Sequence, residues 1–357
     1  MHFTSTHTGS RDPSLDIAKT FLIWLVVFGH LIEPFITNDV STRWAYIFIY
    51  SFHVPALVFV SGMFARAEVS WVAMGKILTQ LVQPLIICQI LFWAMEVFVF
   101  GNEFDWYKAL TRPYWLLWYL ASLVCWRLLI IPLSRVKMAL ASSVLIALIA
   151  GGTKYIGYDG SFSRTLVLLP FFVAGYQVST MGKLPFVSLE KVKLYAWLLI
   201  VSFAVLAFIL ASNGFKPEWL YHVKSYSRLK LDDVSGAAMR IVMLIGAGTM
   251  IWSMLVLLPK RTGWFSYAGQ HSLLPYLTHG FVVYLATGFG WFVYAEGMMP
   301  PIVILLASFI VSGAIIALCV TKPMILLQTA LYTPSTLLGR GKRKTPDLGS
   351  IAKVKQA

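Results

Sequence analysis

Residues 194–215, LYAWLLIVSFAVLAFILASNGF, form a stretch without a single charged side chain. A helix needs about 20 mostly apolar residues to cross the roughly 30 Å hydrocarbon core of a bilayer, so this stretch is long enough to span it. Comparable charge-free runs recur at residues 44–65, 77–95, 241–259, 262–295 and 297–321. A soluble protein with one buried core helix would not repeat this pattern so often, and the repetition therefore predicts a polytopic membrane protein.

The composition supports the same fold class. Of the 357 residues, 58% are apolar and 12% are charged, against roughly 25% charged in an average soluble domain, and the mean hydropathy is +0.74. We therefore predict an all-α, polytopic membrane helical bundle of about ten transmembrane helices. The predicted spans are residues 16–35, 44–64, 77–99, 114–133, 137–151, 164–179, 194–212, 238–259, 270–291 and 301–325.

The distribution of lysine and arginine predicts the orientation of these spans. With the N-terminus inside the cell, the basic residues on the cytoplasmic side moderately outnumber those on the outer side once the basic cluster near the C-terminus is included. We therefore expect two parts, a transmembrane domain over 1–335 and a basic cytoplasmic tail over 336–357. The long polar connection at 213–237 would then lie outside, in a multi-pass protein of the cytoplasmic membrane with both termini in the cytoplasm.

The net charge of +14 would also fit a nucleic-acid-binding protein. Its distribution, however, is the one that the positive-inside rule and anionic lipid headgroups produce, so we expect a lipid bilayer and no nucleic acid as partner. The three cysteines lie inside apolar runs without metal-ligand spacing, and the sequence predicts neither a metal site nor a permanently bound cofactor.

An ionisable side chain within a span costs about 2.5–3.5 kcal/mol on insertion scales, so each one requires a reason. The first span contains two of them, His30 and Glu33, which are three residues apart and share a helix face. Asp16 starts the same span, but fourteen residues of helix separate it from His30 by about 21 Å, which is too far to orient the imidazole. His30 and Glu33 are therefore the first candidate functional pair.

For other ionisable groups in the predicted spans, a structural role is an alternative to a functional one. His53 stands two residues before Pro55, which favours a kink that lines a cavity, and His279 lies in the ninth span. Either histidine could instead be a hydrogen-bonding partner between helices. Arg127 and Arg164 lie near span ends, where their guanidinium groups could reach the interface.

A neutral imidazole suits proton abstraction from a hydroxyl near neutral pH, and Glu33 could hold the tautomer of His30 or stabilise its imidazolium. The same pair would also suit a proton-coupled transporter or flippase of a lipid-linked or sugar-like substrate. A non-catalytic assembly protein, whose cavity is filled by side chains, is a third alternative. Spacing alone does not separate these functions.

Several motifs in sequence order resemble the acyltransferase-3 membrane family, in particular its fucose 4-O-acetylase-like branch. They are SLDIAK at 14–19 with VVFGH at 26–30, FHVP at 52–55 with FVSGMF at 59–64, LVLLPFFVAGY at 166–176 and GQHSLLPYLTH at 269–279. The segment YWLLWYL at 114–120 is compatible with them. The resemblance covers nearly the whole chain and agrees with ten spans.

The resemblance implies an O-acyltransferase, usually an O-acetyltransferase, that moves an acyl group from cytoplasmic acyl-CoA to a hydroxyl of an envelope glycan or glycolipid. The essential motif histidine of the family falls on His30, as general base or as covalent acyl carrier, with Glu33 beside it. His53, Arg164 and His279 are then expected to line the acceptor cavity. The loop at 213–237 would be the largest further surface for acceptor contact.

The basic residues that the resemblance implies for acyl-CoA binding fall on Arg66 and Lys76. Gln80 and Gln83 stand where the family often carries arginine or lysine shortly before the proline at Pro84. Arg127 and Arg135 are therefore expected to contribute to donor binding as well.

Overall fold

The computed structural model describes residues 12–153, 157, 159–181, 190–259 and 261–335. The basic tail predicted over 336–357 lies outside these residues. Within the described part the chain is helical, without a β-strand, so the predicted all-α membrane bundle is confirmed. The helices are α1 Pro13–Ile32, α2 Val40–Tyr50, α3 His53–Met63, α4 Trp71–Ile77, α5 Gln83–Phe98, α6 Trp106–Thr111, α7 Trp118–Leu133, α8 Ala139–Gly152, α9 Phe162–Thr180, α10 Glu190–Ser212, α11 Asp233–Leu257, α12 Trp264–Gln270, α13 Leu273–Gly288, α14 Trp291–Met298, α15 Pro301–Cys319 and α16 Lys322–Tyr332.

Every predicted span coincides with at least one of these helices. In the described residues, seven helical stretches are long and apolar enough to cross a membrane: Pro13–Phe35, Val40–Met63, Trp71–Phe98, Trp106–Leu133, Lys191–Ser212, Asp233–Leu257 and Pro301–Cys319. The other three predicted spans correspond to α8, α9 and α13. Of these, α8 and α13 are shorter, with 14 and 16 residues. The number of ten crossings stays a prediction.

Helix α1 lies in the middle of the bundle and packs against α2, α3, α12, α13 and α15. It begins after Asp12, whose carboxylate accepts the Ser14 backbone N–H at 2.9 Å, with Pro13 at the first helical position. The buried Asp16 pairs with Lys19 at 2.7 Å, which satisfies this charge locally. Because α1 is surrounded by helices, His30 near its end faces protein rather than lipid.

The predicted second span is broken in two. Helix α2 ends at Tyr50 and α3 begins at His53, next to Pro55 in the first turn of α3, where proline is tolerated. The helix is therefore interrupted close to the proline that the sequence marked, and the interruption places His53 at the start of α3.

Helices α3 and α9 approach each other closely along their backbones. A Cβ at Gly62 would collide with the Phe172 carbonyl, and one at Gly175 would collide with the Phe59 carbonyl. Two glycines that belong to the family-like motifs at 59–64 and 166–176 thus let the two backbones touch, as small residues commonly do between membrane helices.

The connection predicted as an outer loop at 213–237 is packed against the bundle. Tyr226 is 1% exposed; its hydroxyl donates to the Leu148 carbonyl at 3.0 Å, and its N–H donates to the Gly151 carbonyl at 2.8 Å. Helix α11 already begins at Asp233. The segment therefore covers one end of the helices and contributes to the interior.

The predicted orientation can be tested by cysteine accessibility. Ser225 is 3% exposed, so a cysteine there would report burial, whereas Arg228, three residues later, is exposed. We expect a cysteine at Arg228→Cys to react with a membrane-impermeant maleimide in intact cells and one at Thr345→Cys to react only after permeabilisation. The reverse pattern would invert the whole orientation.

Candidate active site

A cavity of about 240 Å³ opens beside the C-terminal end of α1. Its walls come from α1, α2, α3, α7, α9, α13 and the segment 213–232. The lining side chains are Val26, His30, Glu33, Tyr46, Tyr50, His53, Val54, Leu57, Trp115, Leu116, Trp118, Tyr119, Arg164, Leu168, Leu220, Tyr221, His222 and Tyr276. Three of the candidates that the sequence placed together, Glu33, His53 and Arg164, therefore share this cavity with His30.

His279 lies directly against His30. Its Nε2 is 3.1 Å from Nδ1 of His30, and the two rings are stacked with centroids 5.3 Å apart. The residues are 249 positions apart in the chain and meet because α13 packs along α1. His279 is fully buried and thus stands behind His30, away from the open space.

The hydrogen bonds fix which nitrogen of each neutral ring carries the proton. Nδ1 of His279 lies 3.0 Å from the Pro275 carbonyl, which can only accept, so this nitrogen carries the hydrogen. Nε2 of His279 is then an acceptor, and Nδ1 of His30 must donate to it. The lone pair of His30 is therefore on Nε2, the nitrogen that His279 does not occupy, and this is the arrangement that a general base or a nucleophile requires.

His53, on another wall of the cavity, has the same tautomer, with its hydrogen on Nδ1. Its Nδ1 lies 2.8 Å from the Ile49 carbonyl, one turn earlier and across the break between α2 and α3. The carbonyl again assigns the hydrogen to Nδ1 and leaves Nε2 as an acceptor. The break in the second span thus provides the carbonyl that orients a cavity histidine.

Glu33 takes part in a different network from the one that the sequence suggested. Its carboxylate shares the cavity with Tyr46, Tyr221 and Arg164, and the hydroxyl of Tyr46 donates to that of Tyr221 at 3.1 Å. The partner on Nδ1 of His30 is His279 rather than Glu33. The remaining predicted role of Glu33, stabilisation of an imidazolium through its charge, stays a prediction.

Arg164 is held between the cavity and the segment 213–232. Its Nε donates to the Tyr221 carbonyl at 3.1 Å, and its guanidinium stacks over the Trp118 ring at 4.7 Å. The neighbouring His222 is buried, and this burial, with Arg240 and Arg164 nearby, lowers its pKa to about 3. His222 is therefore neutral at physiological pH and adds no positive charge to the cavity.

The predicted donor-binding residues lie elsewhere and do not line this cavity. Arg127 donates from Nη1 to the Phe64 carbonyl at 2.9 Å, so the end of α3 that leads to Arg66 is tied to α7. Arg66, Lys76 and Arg135 are exposed. In the described part of the chain, no three His, Cys, Asp or Glu side chains are grouped to hold a metal ion.

Trp115 is a cavity residue that the sequence did not single out. Its ring centroid is 4.8 Å from that of His30, and its backbone has a φ of 34°, a region that a bulky residue enters at a cost of about 1–3 kcal/mol. Tyr46, Tyr221 and Tyr276 were missed as well. Tyrosine in an apolar run gives no signal of its own, because most such residues are interfacial or core side chains.

Comparison with known proteins agrees with the resemblance seen in the motifs. The family model described as "Acyltransferase domain" matches residues 12–321. The Nodulation protein NolL of Mesorhizobium japonicum is 27% identical over 125 residues, which are 31% of this chain and 34% of that protein. The Nodulation protein NolL of Sinorhizobium fredii is 29% identical over 128 residues, 32% of this chain and 35% of that protein. The aligned part thus spans about a third of these relatives. No solved structure gives a significant match.

Proposed function

The chain belongs to the membrane acyltransferase family whose model covers residues 12–321, and from this premise we propose that it is an O-acyltransferase, most simply an O-acetyltransferase. In this proposal the donor is cytoplasmic acyl-CoA, and the acceptor is a hydroxyl of an envelope glycan or glycolipid. The observation that carries the proposal is the single hydrogen-bonding pattern open to His279 and His30, which leaves Nε2 of His30 unprotonated.

In the direct reaction, Nε2 of His30 takes the proton of the acceptor hydroxyl while its oxygen attacks the thioester carbonyl. The carbon–sulfur bond then breaks, and the departing thiolate receives the proton from the imidazolium, so the products are the ester and free CoA. In the covalent variant, Nε2 attacks the thioester first and the carbon–sulfur bond breaks, so that CoA leaves as its thiolate; the acceptor oxygen then displaces His30 from the acyl group, and the proton of the acceptor hydroxyl passes to the thiolate. Both reaction routes require the same tautomer of His30, with its hydrogen on Nδ1.

Glu33 and Arg164 support either reaction by charge. The carboxylate of Glu33 lines the same cavity as His30, together with Tyr46, Tyr221 and Arg164. It stabilises the positive charge that His30 carries after it has taken the proton. In this proposal the positive charge of Arg164 at the cavity wall stabilises the oxyanion that forms on the acyl carbon.

The function is tested first by the chemistry of the cell envelope. Lipids and glycans of a deletion strain are compared with those of the parent by mass spectrometry, and we expect the loss of one acyl mass from one component. Complementation with the wild-type gene restores that mass, whereas the His30→Ala gene does not. An unchanged envelope with altered export of a sugar or lipid would instead favour the transporter alternative.

We expect the donor to be used only from the cytoplasmic face, with its phosphates bound by Arg66 and Lys76 at the inner mouth. In sealed vesicles of known orientation, acetyl-CoA on the cytoplasmic face gives turnover and acetyl-CoA on the opposite face gives none. The Arg66→Ala, Lys76→Ala double variant raises the donor KM, and high salt reduces the difference because these contacts are electrostatic.

Arg43, which lies on α2 and donates to the Ile36 carbonyl, provides a basic residue remote from this mouth as a control for salt effects. Equal turnover with donor on either face would contradict the sidedness. An unchanged donor KM in the double variant would move the donor site to other basic residues, with Arg127 and Arg135 next to be replaced.

A further inference from the structure

A second, larger space adjoins the cavity of His30. This vestibule has a volume of about 570 Å³ and lies between the C-terminal half of α5, the segment 102–115 and the start of α9. Trp115, Trp118 and Arg164 belong to the walls of both spaces. The two spaces therefore adjoin at these three side chains, and the ring centroid of Trp115 is 4.8 Å from that of His30.

The lining of the vestibule combines aromatic faces with oxygen acceptors. Trp93 and Tyr114 pack edge to face at 5.9 Å, and Trp115 and Trp118 continue the aromatic surface toward the cavity. Glu96 is fixed by hydrogen bonds from Tyr114 and Asn102. Sugar rings present C–H faces that pack on aromatic rings and hydroxyls that donate to carboxylates, so both halves of this lining match a carbohydrate.

The cations in the vestibule are already engaged. Lys108 pairs with Asp105 at 2.8 Å, Arg112 pairs with Asp159, and Arg164 binds the Tyr221 carbonyl and the Trp118 ring. Glu96 and the exposed Glu103 add negative charge. An anionic ligand would have to displace an existing ion pair, whereas an uncharged polyhydroxyl ring would not.

A neighbouring apolar groove provides a comparison for the lining of the vestibule. It shares Trp93 and Pro113 with the vestibule, but apart from Gln89 its lining side chains are apolar or aromatic. The charged side chains of this region thus line the vestibule and not the groove. Aromatic residues that serve only as an interfacial belt would not be accompanied by this one-sided set of charged side chains.

We propose that the vestibule binds a neutral pyranose ring of the acceptor and directs one of its hydroxyls past Trp115 to Nε2 of His30. This proposal rests on the proposed O-acyltransferase function and adds the acceptor class and its binding site. It places acceptor recognition on the segment 93–118 rather than on the segment 213–237. The backbone of Trp115, with its φ of 34°, then holds the indole at the passage between the two spaces.

The test separates binding from transfer. The full chain in nanodiscs is exposed to a neutral pyranoside that carries a diazirine on its aglycone, is irradiated, and is digested for mass spectrometry. We expect labelling within residues 93–118, in wild type and in His30→Ala alike, and suppression of the label by excess methyl pyranoside. The matching uronic acid, which bears a carboxylate, suppresses it less.

Kinetics with the same neutral pyranoside provide the second measurement. Trp93→Ala removes one stacking face, and we expect the acceptor KM to rise about tenfold with kcat and the donor KM within about twofold of wild type. Trp106→Ala is the matched control, because Trp106 lies in the same region, is 67% exposed and does not line the vestibule. Arg228→Gln tests the competing segment 213–237.

The outcomes distinguish this proposal from the function on which it rests. Labelling within 213–237, or equal acceptor KM values for Trp93→Ala and Trp106→Ala, would overturn the vestibule while transfer continues. Stronger suppression by the uronic acid would overturn the neutral ligand. Labelling within 93–118 without acyl transfer to any pyranoside would support the vestibule and contradict the O-acyltransferase function.

Discussion

Replacement of His30 by alanine should abolish measurable acyl transfer, with a loss of about 10²- to 10⁴-fold for the base alone. The physical reason is that Nε2 of His30 is the unprotonated nitrogen fixed by the contact with His279. The protein should still fold and insert, because His30 is half-buried at a cavity wall and its loss leaves the helix contacts of α1 intact. The measurement is transfer of labelled acetyl from acetyl-CoA by the purified protein.

His271→Ala is the matched control for this variant. His271 belongs to the same stretch of sequence as His279 but lies between α12 and α13 and does not line the cavity. Reactivity of a cysteine at position 228 checks that both variants are inserted. Turnover of His30→Ala close to that of wild type would contradict the assignment of the base and strengthen the transporter alternative.

Removal of Nε2 of His279, which accepts the hydrogen bond from His30, should have the second largest effect on acyl transfer. His279→Leu leaves the Nδ1 hydrogen of His30 without its partner, so the proton can move to Nε2 and block the reacting nitrogen. Loss of the group that fixes such a tautomer costs about 10⁴-fold in serine hydrolases with a buried carboxylate. We expect a smaller loss of about 10²- to 10³-fold here, because His279 is a neutral partner.

His279→Gln separates positioning from packing. The glutamine oxygen can occupy the place of Nε2 and accept from His30, so we expect it to recover at least about tenfold over His279→Leu in kcat. The KM values for donor and acceptor should stay within about twofold in both variants. Equal kcat values for leucine and glutamine would show that His279 serves only packing, and His30 would then need another partner for its Nδ1.

The fold was predictable from the sequence because each membrane helix requires a long run of apolar residues. The run at 194–215 became α10, and every other predicted span found a helix. The ends of the helices were less predictable: the predicted span 301–325 continues past Cys319, the last residue of α15, into the separate helix α16. Hydropathy measures solubility in lipid, and it does not report where a backbone turns inside the protein.

The site was predictable only where the chemistry is local. His30 and Glu33 stand out because they share one turn of an otherwise apolar helix. The contact of His30 with His279 depends on how α13 packs against α1, which no local pattern indicates. The break before His53, in contrast, lies near Pro55, where the sequence predicted a kink. The segment 213–237 was predicted on the outer side from the distribution of basic residues, and that location stays a prediction. The sequence did not indicate that Tyr221 and His222 reach the cavity, where their carbonyls accept hydrogen bonds from Arg164 and Ser163.

The contact between His30 and His279 also has a consequence for biogenesis. The two residues are 249 positions apart, and at about 5–20 residues per second a ribosome needs about 12–50 s to make the chain between them. During that interval α1 can already be in the bilayer, but its imidazole has no partner to set the proton. In the proposed reaction, a nascent or prematurely ended chain is therefore inactive, and activity begins only when α13 has been inserted beside α1.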